Sequence, residues 1–488
     1  MRTHELPDAD ACYRALQTHD ARFDGVFFVG VASTGIYCRV VCPAKTPRRE
    51  NCSFCPGGAA AERAGCRPCL RCRPELAPGN ARVDAAGRLA AAAAGRIEEG
   101  ALTGQSVEEL AAELGVSDRH LRRVVEEAFG VSPVELAQTQ RLLLAKRLLT
   151  DTDLPITEVA FASGFSSLSR FNALFKERYR LNPTDLRRQR DPGASPAETI
   201  CCDLAYRPPL DWRALVDYLA SRGARGVEAA VDGGERYRRT VRWKERRGWL
   251  SVAPSPDREN TLRVELSASL APVLPAVLAR VKRLFDLAAE PERIARHLGE
   301  IAQKNPGLRV PGAFDPFETA VRAILGQQVS VRAATTLAGR LAAALGEPVE
   351  TPFPDLTHLP PTPERVAAAE PEELAALGIS HARAGYLIAL ARAVTDGGLS
   401  LEPGGDVPAT VARLKELPGI GEWTAQYIAM RALSWPDAFP HTDLGVYKAL
   451  GTNNPRRVLE IAEAWRPWRA YAVQHLWKSL EKTSEGTS

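Results

Sequence analysis

Cys38-Arg-Val-Val-Cys42 and Cys69-Leu-Arg-Cys72 are two close pairs of thiols separated by 26 residues. Each pair can span one edge of a tetrahedron, which is the geometry Zn²⁺ requires of thiolate ligands. Cys52-Ser-Phe-Cys55 and Cys66-Arg-Pro-Cys69 offer rival spacings, so spacing alone leaves the four ligands open. The same window carries Arg39, Lys45, Arg48, Arg49, Arg63, Arg67, Arg71 and Arg73, against only Glu50 and Glu62. A metal knot wrapped in arginine predicts a phosphate-rich partner. Eight of the ten cysteines precede residue 73 and none follows Cys202. An exported disulfide protein rarely loads one end of its chain this way, so reduced, metal-binding thiols in the cytoplasm are expected.

A second concentration of chemistry lies near the other end. Leu417-Pro-Gly-Ile-Gly-Glu-Trp-Thr-Ala425 is followed by Phe439-Pro-His-Thr-Asp443. Gly419 and Gly421 let a hairpin backbone come close to a phosphate. The N–H groups from Glu422 to Ala425, Thr424 among them, then open a helix and point at the anion. Asp443 reads either as the N-cap of the next helix or as a working carboxylate.

The elements that must position these groups differ along the chain. Tyr13 to Gln17 predicts a helix and Gly25-Val-Phe-Phe-Val-Gly-Val31 a buried strand leading to Cys38. Residues 82–190 read as helices with two turns of one kind. Ser106-Val-Glu-Glu-Leu-Ala-Ala-Glu-Leu-Gly115 ends one helix, and Ser117 caps a second from Asp118 to Phe129. The pattern returns about 49 residues later at Ile156-Thr-Glu-Val-Ala-Phe-Ala-Ser-Gly164, with a helix from Pro133 to Leu149 between. Arg119, Arg122, Ser169 and Arg170, early in the second helix of each copy, are the candidates to meet DNA; Phe165 and Phe171 are assigned to the core. Asp191-Pro-Gly-Ala-Ser-Pro-Ala197 is a linker. Beyond it, Tyr237–Trp243, Gly248–Val252 and Leu262–Leu266 predict antiparallel strands, and the remainder is helical.

Bulk properties bound the class. A chain of 488 residues exceeds one core and calls for several domains. With 45% hydrophobic and 25% charged residues it has a globular composition, and a net charge of +4 makes any nucleic-acid contact a local affair. No apolar run reaches the roughly 20 residues of a membrane span, and the first 30 residues do not read as a signal peptide.

Three stretches carry a resemblance. Thr34-Gly-Ile-Tyr-Cys-Arg-Val-Val-Cys42, Arg49-Glu-Asn-Cys-Ser-Phe54 and Arg67-Pro-Cys-Leu-Arg-Cys72 resemble the N-terminal domain of Ada-type DNA-alkylation response proteins. The resemblance implies that Cys38, Cys42, Cys69 and Cys72 hold one zinc ion, that Cys38 irreversibly accepts a methyl group from a DNA methylphosphotriester, and that Arg67 and Arg71 face DNA. Cys12, Cys52, Cys55 and Cys66 are then packing or spare thiols. The two helix pairs are similar to an AraC-type DNA-binding domain.

From Tyr206-Arg-Pro-Pro to Pro467-Trp-Arg-Ala-Tyr-Ala-Val-Gln-His-Leu-Trp477, the chain resembles helix-hairpin-helix DNA glycosylases of the AlkA type. That resemblance implies Asp443 as the catalytic aspartate and Tyr218, Trp423, Tyr427 and Trp477 as pocket aromatics. It makes Gln328 the wedge residue, where relatives often carry leucine. Trp423 stands where glycosylase/lyase relatives carry a Schiff-base lysine, so hydrolysis without strand cutting is expected. The absence of cysteine after Cys202 argues against an iron–sulfur cluster. No Pro-Cys-His-Arg run of an O6-alkylguanine methyltransferase occurs, so base repair is expected to proceed by excision.

The expected architecture is multidomain and mainly α with α+β parts. It comprises a small zinc-bound α/β domain (1–80), a helix-turn-helix domain (82–190), a small antiparallel-sheet α+β domain (200–305) and an all-α helix-hairpin-helix domain (306–485). Expected partners are double-stranded DNA, alkylated or promoter, and RNA polymerase, with no membrane. A monomer in the cytoplasm, associated with the nucleoid, is expected. Two other classes fit the same residues: a repair enzyme merely anchored by its first two domains, and a transcription factor with a degenerate glycosylase half.

Overall fold

The computed structural model describes residues 6–78, 85–152, 154–188, 199–404 and 406–485. The predicted linker Asp191–Ala197 lies outside the described residues.

Strands β1 (Phe28–Val31), β2 (Ile36–Cys38), β3 (Cys52–Cys55) and β4 (Arg67–Pro68) form a sheet in the order β3-β1-β2-β4. β1 pairs antiparallel with both neighbours, and β2 pairs parallel with β4. All four residues of β1 are buried, as expected of its apolar run. The preceding helix extends over Ala9–Gln17, longer than predicted, because Asp8 caps it by accepting from the Asp10 and Ala11 N–H groups. Cys12 is buried beside Leu16 and Phe27, a packing role.

The helical stretch follows its local signals. Ser106 and Glu109 form a capping box before Val107–Glu113, and Ser117 caps Asp118–Phe129. Ser132 and Glu135 form a second box before Pro133–Asp151, and Ser167 caps Leu168–Tyr179. Gly115 and Gly164 stand in the two turns at φ +72° and +83°, a region open to glycine at little cost. Phe165 and Phe171 are buried.

The next sheet has five strands where three were predicted. β5 (Thr199–Ala205), β6 (Glu228–Val231), β7 (Arg236–Trp243), β8 (Arg246–Pro254) and β9 (Thr261–Ser267) pair in the order β5-β9-β8-β7-β6, all antiparallel. β5 reads Thr-Ile-Cys-Cys-Asp-Leu-Ala and β6 is a four-residue edge. Neither shows the alternation or β-branched enrichment that marks a strand. One apolar cluster joins Leu142 and Leu148 of Pro133–Asp151 and Val159, Phe171 and Phe175 of the second helix-turn-helix to Ile200, Leu204, Leu250 and Val264 of this sheet. A separate core, built around Phe317, Leu337, Leu387, Ile428, Met430 and Val473, fills the C-terminal helices. Among the described residues no helix is long and apolar enough to cross a membrane.

Candidate metal centre and base pocket

The thiol sulfurs of Cys38, Cys42, Cys69 and Cys72 all lie within 4.8 Å of one another. The structure therefore groups the two outer pairs, while Cys52, Cys55 and Cys66 are not part of the cluster. The donor set fits zinc: four sulfurs, with backbone N–H groups aimed at two of them. Arg39 N–H donates to Cys72 Sγ at 3.3 Å and Arg71 N–H to Cys69 Sγ at 3.4 Å, as suits sulfur held as thiolate. Cys42, Cys69 and Cys72 are buried, whereas Cys38 at the end of β2 is half-buried.

Not all of the surrounding arginines face outward. Arg39 is buried against Asp24, with Nε–Oδ1 at 2.9 Å, and its Nη1 donates to the Cys72 carbonyl at 3.2 Å. Arg73 pairs with Glu75 at 3.0 Å and Asp151 at 2.7 Å. Arg71 is exposed and Arg67 half-buried. Lys146, buried on the helix Pro133–Asp151, donates from Nζ to the Cys69 carbonyl at 3.1 Å and to Glu75 at 2.7 Å. On the reading helices, Arg119, Ser169 and Arg170 are exposed. Arg122 is half-buried and engaged by Asp118 at 2.8 Å, so its guanidinium is less free than its position in the sequence suggests.

The base pocket is assembled from three helices and one helix start. Trp423 and Tyr427 lie four apart on Glu422–Arg431, so they share a face; their rings stack at 5.2 Å and 16°. Tyr218 comes from Trp212–Arg222 and Trp477 from Arg469–Glu485; these rings lie at 6.4 Å and 15°. Tyr427 and Trp477 close the box at 6.5 Å. Asp443 caps Leu444–Leu450 through Val446 N–H at 3.0 Å, and it also binds two ring donors. Trp423 Nε1–H donates to Oδ2 and Trp477 Nε1–H to Oδ1, each at 2.8 Å. The N-cap reading of Asp443 thus matches the structure, and the same carboxylate also holds two indole N–H groups. A carboxylate offers roughly four lone-pair positions, and the single bond at Oδ2 leaves that oxygen open to a water.

The hairpin stands beside this box. Gly419 has φ +74°, and a Cβ there would collide with the Tyr386 ring, which fixes glycine on two counts. Gly421 is exposed and starts Glu422–Arg431 without a side-chain cap, leaving its first N–H groups for an outside anion. Thr424 is buried, and its Oγ1 accepts from Gln327 Nε2 at 3.0 Å, so its side chain faces the protein. Gln327 Nε2 also donates to the Gly419 carbonyl at 2.8 Å, and Arg383 donates to the Gln327 carbonyl at 2.6 Å. Gln328 is exposed with φ +53°, an uncommon backbone for a residue with a side chain.

Sequence reasoning missed Gln327, Lys146 and Arg431. Arg431 is buried, and its Nη1 donates to Tyr218 Oη at 3.0 Å and Tyr427 Oη at 2.9 Å. Its place four after Tyr427 and eight after Trp423 was a legible helical signal. Gln327 and Lys146 gave none.

Family models match four successive stretches of the chain. The metal-binding domain of Ada matches residues 11–75, a helix-turn-helix domain 110–189, the AlkA N-terminal domain 201–315, and the HhH-GPD superfamily of base excision DNA repair proteins 321–458. A probable bifunctional transcriptional activator/DNA repair enzyme AlkA of Mycobacterium tuberculosis is 41% identical over 488 residues, covering 97% of each chain. DNA-3-methyladenine glycosylase 2 of Escherichia coli is 41% identical over 274 residues, 56% of this chain and 95% of that one. The bifunctional transcriptional activator/DNA repair enzyme AdaA of Bacillus subtilis is 31% identical over 180 residues, 36% of this chain and 82% of that one. The chain belongs to the family of bifunctional transcriptional activators and DNA repair enzymes that join an Ada-type metal-binding domain and a helix-turn-helix domain to an AlkA-type glycosylase.

Proposed function

We propose that the C-terminal half hydrolyses the N-glycosidic bond of alkylated bases of the 3-methyladenine type, and that Cys38 is a single-use acceptor of methyl groups from DNA phosphotriesters. The observation that carries the glycosylase reading is Asp443, fixed by two indole N–H groups at 2.8 Å at an aromatic box. A base flipped from the duplex stacks between the nearly parallel Tyr218 and Trp477 rings, where cation–π attraction favours a positively charged lesion. A stacked base occupies roughly 3.4 Å, so the 6.4 Å between ring centroids approaches the space required. As the glycosidic bond breaks, its electron pair goes to the base and positive charge builds on C1′. The Asp443 carboxylate stabilises that charge, and a water at its open oxygen adds to the sugar. Trp423, standing where lyase relatives carry a lysine, spends its indole N–H on Asp443; this supports hydrolysis without strand cutting.

At the metal centre, bound zinc keeps the four sulfurs as thiolates at neutral pH. The Cys38 sulfur attacks the methyl carbon of the triester. An S–C bond forms while the C–O bond breaks, and its electron pair stays on the phosphate oxygen, leaving an ordinary diester. The half-buried position of Cys38 beside three buried thiols supports its selection. The resulting thioether removes one negative charge near DNA phosphates, so operator affinity rises. The exposed Arg119, Ser169 and Arg170 and the unobstructed Arg71 are the surfaces this reading places on DNA.

Asp443→Asn should reduce release of 3-methyladenine from methylated DNA by about 10² or more. Release at the wild-type rate would refute the glycosylase assignment.

A further inference from the structure

Arg431 is an unusual group to find behind an aromatic box. It is buried, and Nε and Nη2 donate to the carbonyls of Pro311 and Gly312, while Nη1 serves the two phenols. No carboxylate forms an ion pair with Arg431, Arg222 or Arg322 among the described residues, although unpaired buried charge is costly. Arg222 lies 3.8 Å over the Tyr218 ring. Arg322, on Pro316–Leu325, spends Nη2 on Thr335 Oγ1 at 3.2 Å, with Glu228 and Glu318 acting on it more distantly. Asp443 reaches the box only through the two indoles. Arg222 and Arg431 thus lie against the rings of a pocket whose proposed ligand is itself a cation, and Arg431 donates directly to the Tyr218 and Tyr427 hydroxyls, 3.2 Å apart.

We propose that Tyr427, backed by Arg431, is the specificity-determining residue of this pocket: its phenol gives up a proton when a positively charged base enters and so offsets the buried guanidinium. The O–H bond breaks, its electron pair stays on oxygen, and the proton passes to solvent. The inference rests on the reading of this box as the base pocket. Burial raises the Tyr427 phenol, but Arg431, Arg222, the hydrogen bond from Tyr218 and Arg322 bring it down to about 8; burial pushes Tyr218 up, so the two phenols are not equivalent. A cation bound against the ring lowers the Tyr427 phenol further. Binding therefore releases a proton, and the apparent KM for a cationic base falls as pH rises toward about 8 and then levels. A neutral base has no such coupling.

The test uses the full chain and two lesions: 3-methyladenine, cationic in DNA, and 1,N6-ethenoadenine, neutral and of similar size. At an effective dielectric constant of about 20, one unit charge in contact with the ligand changes binding by roughly tenfold or more. The KM for 3-methyladenine release should fall about tenfold from about pH 6.5 to about pH 8.5, with that for ethenoadenine nearly flat. In Tyr427→Phe that pH dependence should vanish, and preference for the cationic base should drop about tenfold at the upper pH. An unchanged pH profile in Tyr427→Phe, or an equal loss for both bases, overturns the proposal. Loss of both activities in Asp443→Asn, measured in parallel, keeps the glycosylase reading intact whatever Tyr427 does.

Discussion

Asp443 shows how much one residue type in one place can reveal and how much its surroundings add. Its spacing from the Pro-Gly-Ile-Gly hairpin was legible, as was the set of four aromatic side chains. The two indole hydrogen bonds that fix the carboxylate were not, because Trp423 and Trp477 lie 54 residues apart in sequence and only the packing of their helices brings them together. Gln327 makes the same point. Beside Gln328 in the sequence, it carried no signal, yet it ties the turn at Gln328 to the hairpin through Gly419 and Thr424. Gln327→Ala should cost about 1 kcal/mol of stability and lower kcat/KM for base release by roughly tenfold or more, since that turn and the anion-facing helix start would lose their shared register. Unfolding curves and single-turnover kinetics check this; full activity in the variant would contradict the clamp.

The helix Pro133–Asp151 touches the metal domain, both helix-turn-helix units and the strand Thr199–Ala205. Its cap and length were readable from Ser132, Pro133 and the apolar spacing. Its partners were not, since polar residues such as Thr139 and Lys146 on a long helix resemble a solvated face. In the structure Thr139 donates to Glu62 at 2.8 Å, Lys146 to Glu75 and the Cys69 carbonyl, and Arg147 to the Asp203 carbonyl of β5. Burial acts to raise the Glu75 carboxyl, but Lys146 and Arg73 hold it at about 2. Its folded value lies below the unfolded one of roughly 4.3. Its contribution is therefore present above that pH and fades as pH falls toward about 2. Glu75→Gln leaves the buried Lys146 without its carboxylate partner, while Arg73 keeps Asp151, and should cost about 3 kcal/mol near neutrality. Urea unfolding should show the gap between wild type and variant narrowing in acid. A gap that stayed constant would contradict the ion-pair assignment.

For the whole molecule, the metal-binding, helix-turn-helix and helix-hairpin-helix units were legible because each carries its own short-range signature: cysteine spacing, helix-turn-helix turns, and a glycine hairpin followed by an aspartate. How the units meet was not. The second helix-turn-helix shares an apolar cluster with the five-stranded sheet, and Arg22 of the first domain pairs with Glu292 of the third at 2.8 Å. Such contacts link surfaces that have no periodic relation in the chain. They also join the metal-binding domain, the second helix-turn-helix and the five-stranded sheet through direct contacts. Consumption of the half-buried Cys38 thiol is checked by peptide mass spectrometry of the zinc-loaded protein after incubation with methylphosphotriester DNA. A single added methyl group on Cys38 is expected, with Cys42, Cys69 and Cys72 unmodified; an unmodified Cys38 in protein that retains its zinc would refute the acceptor role.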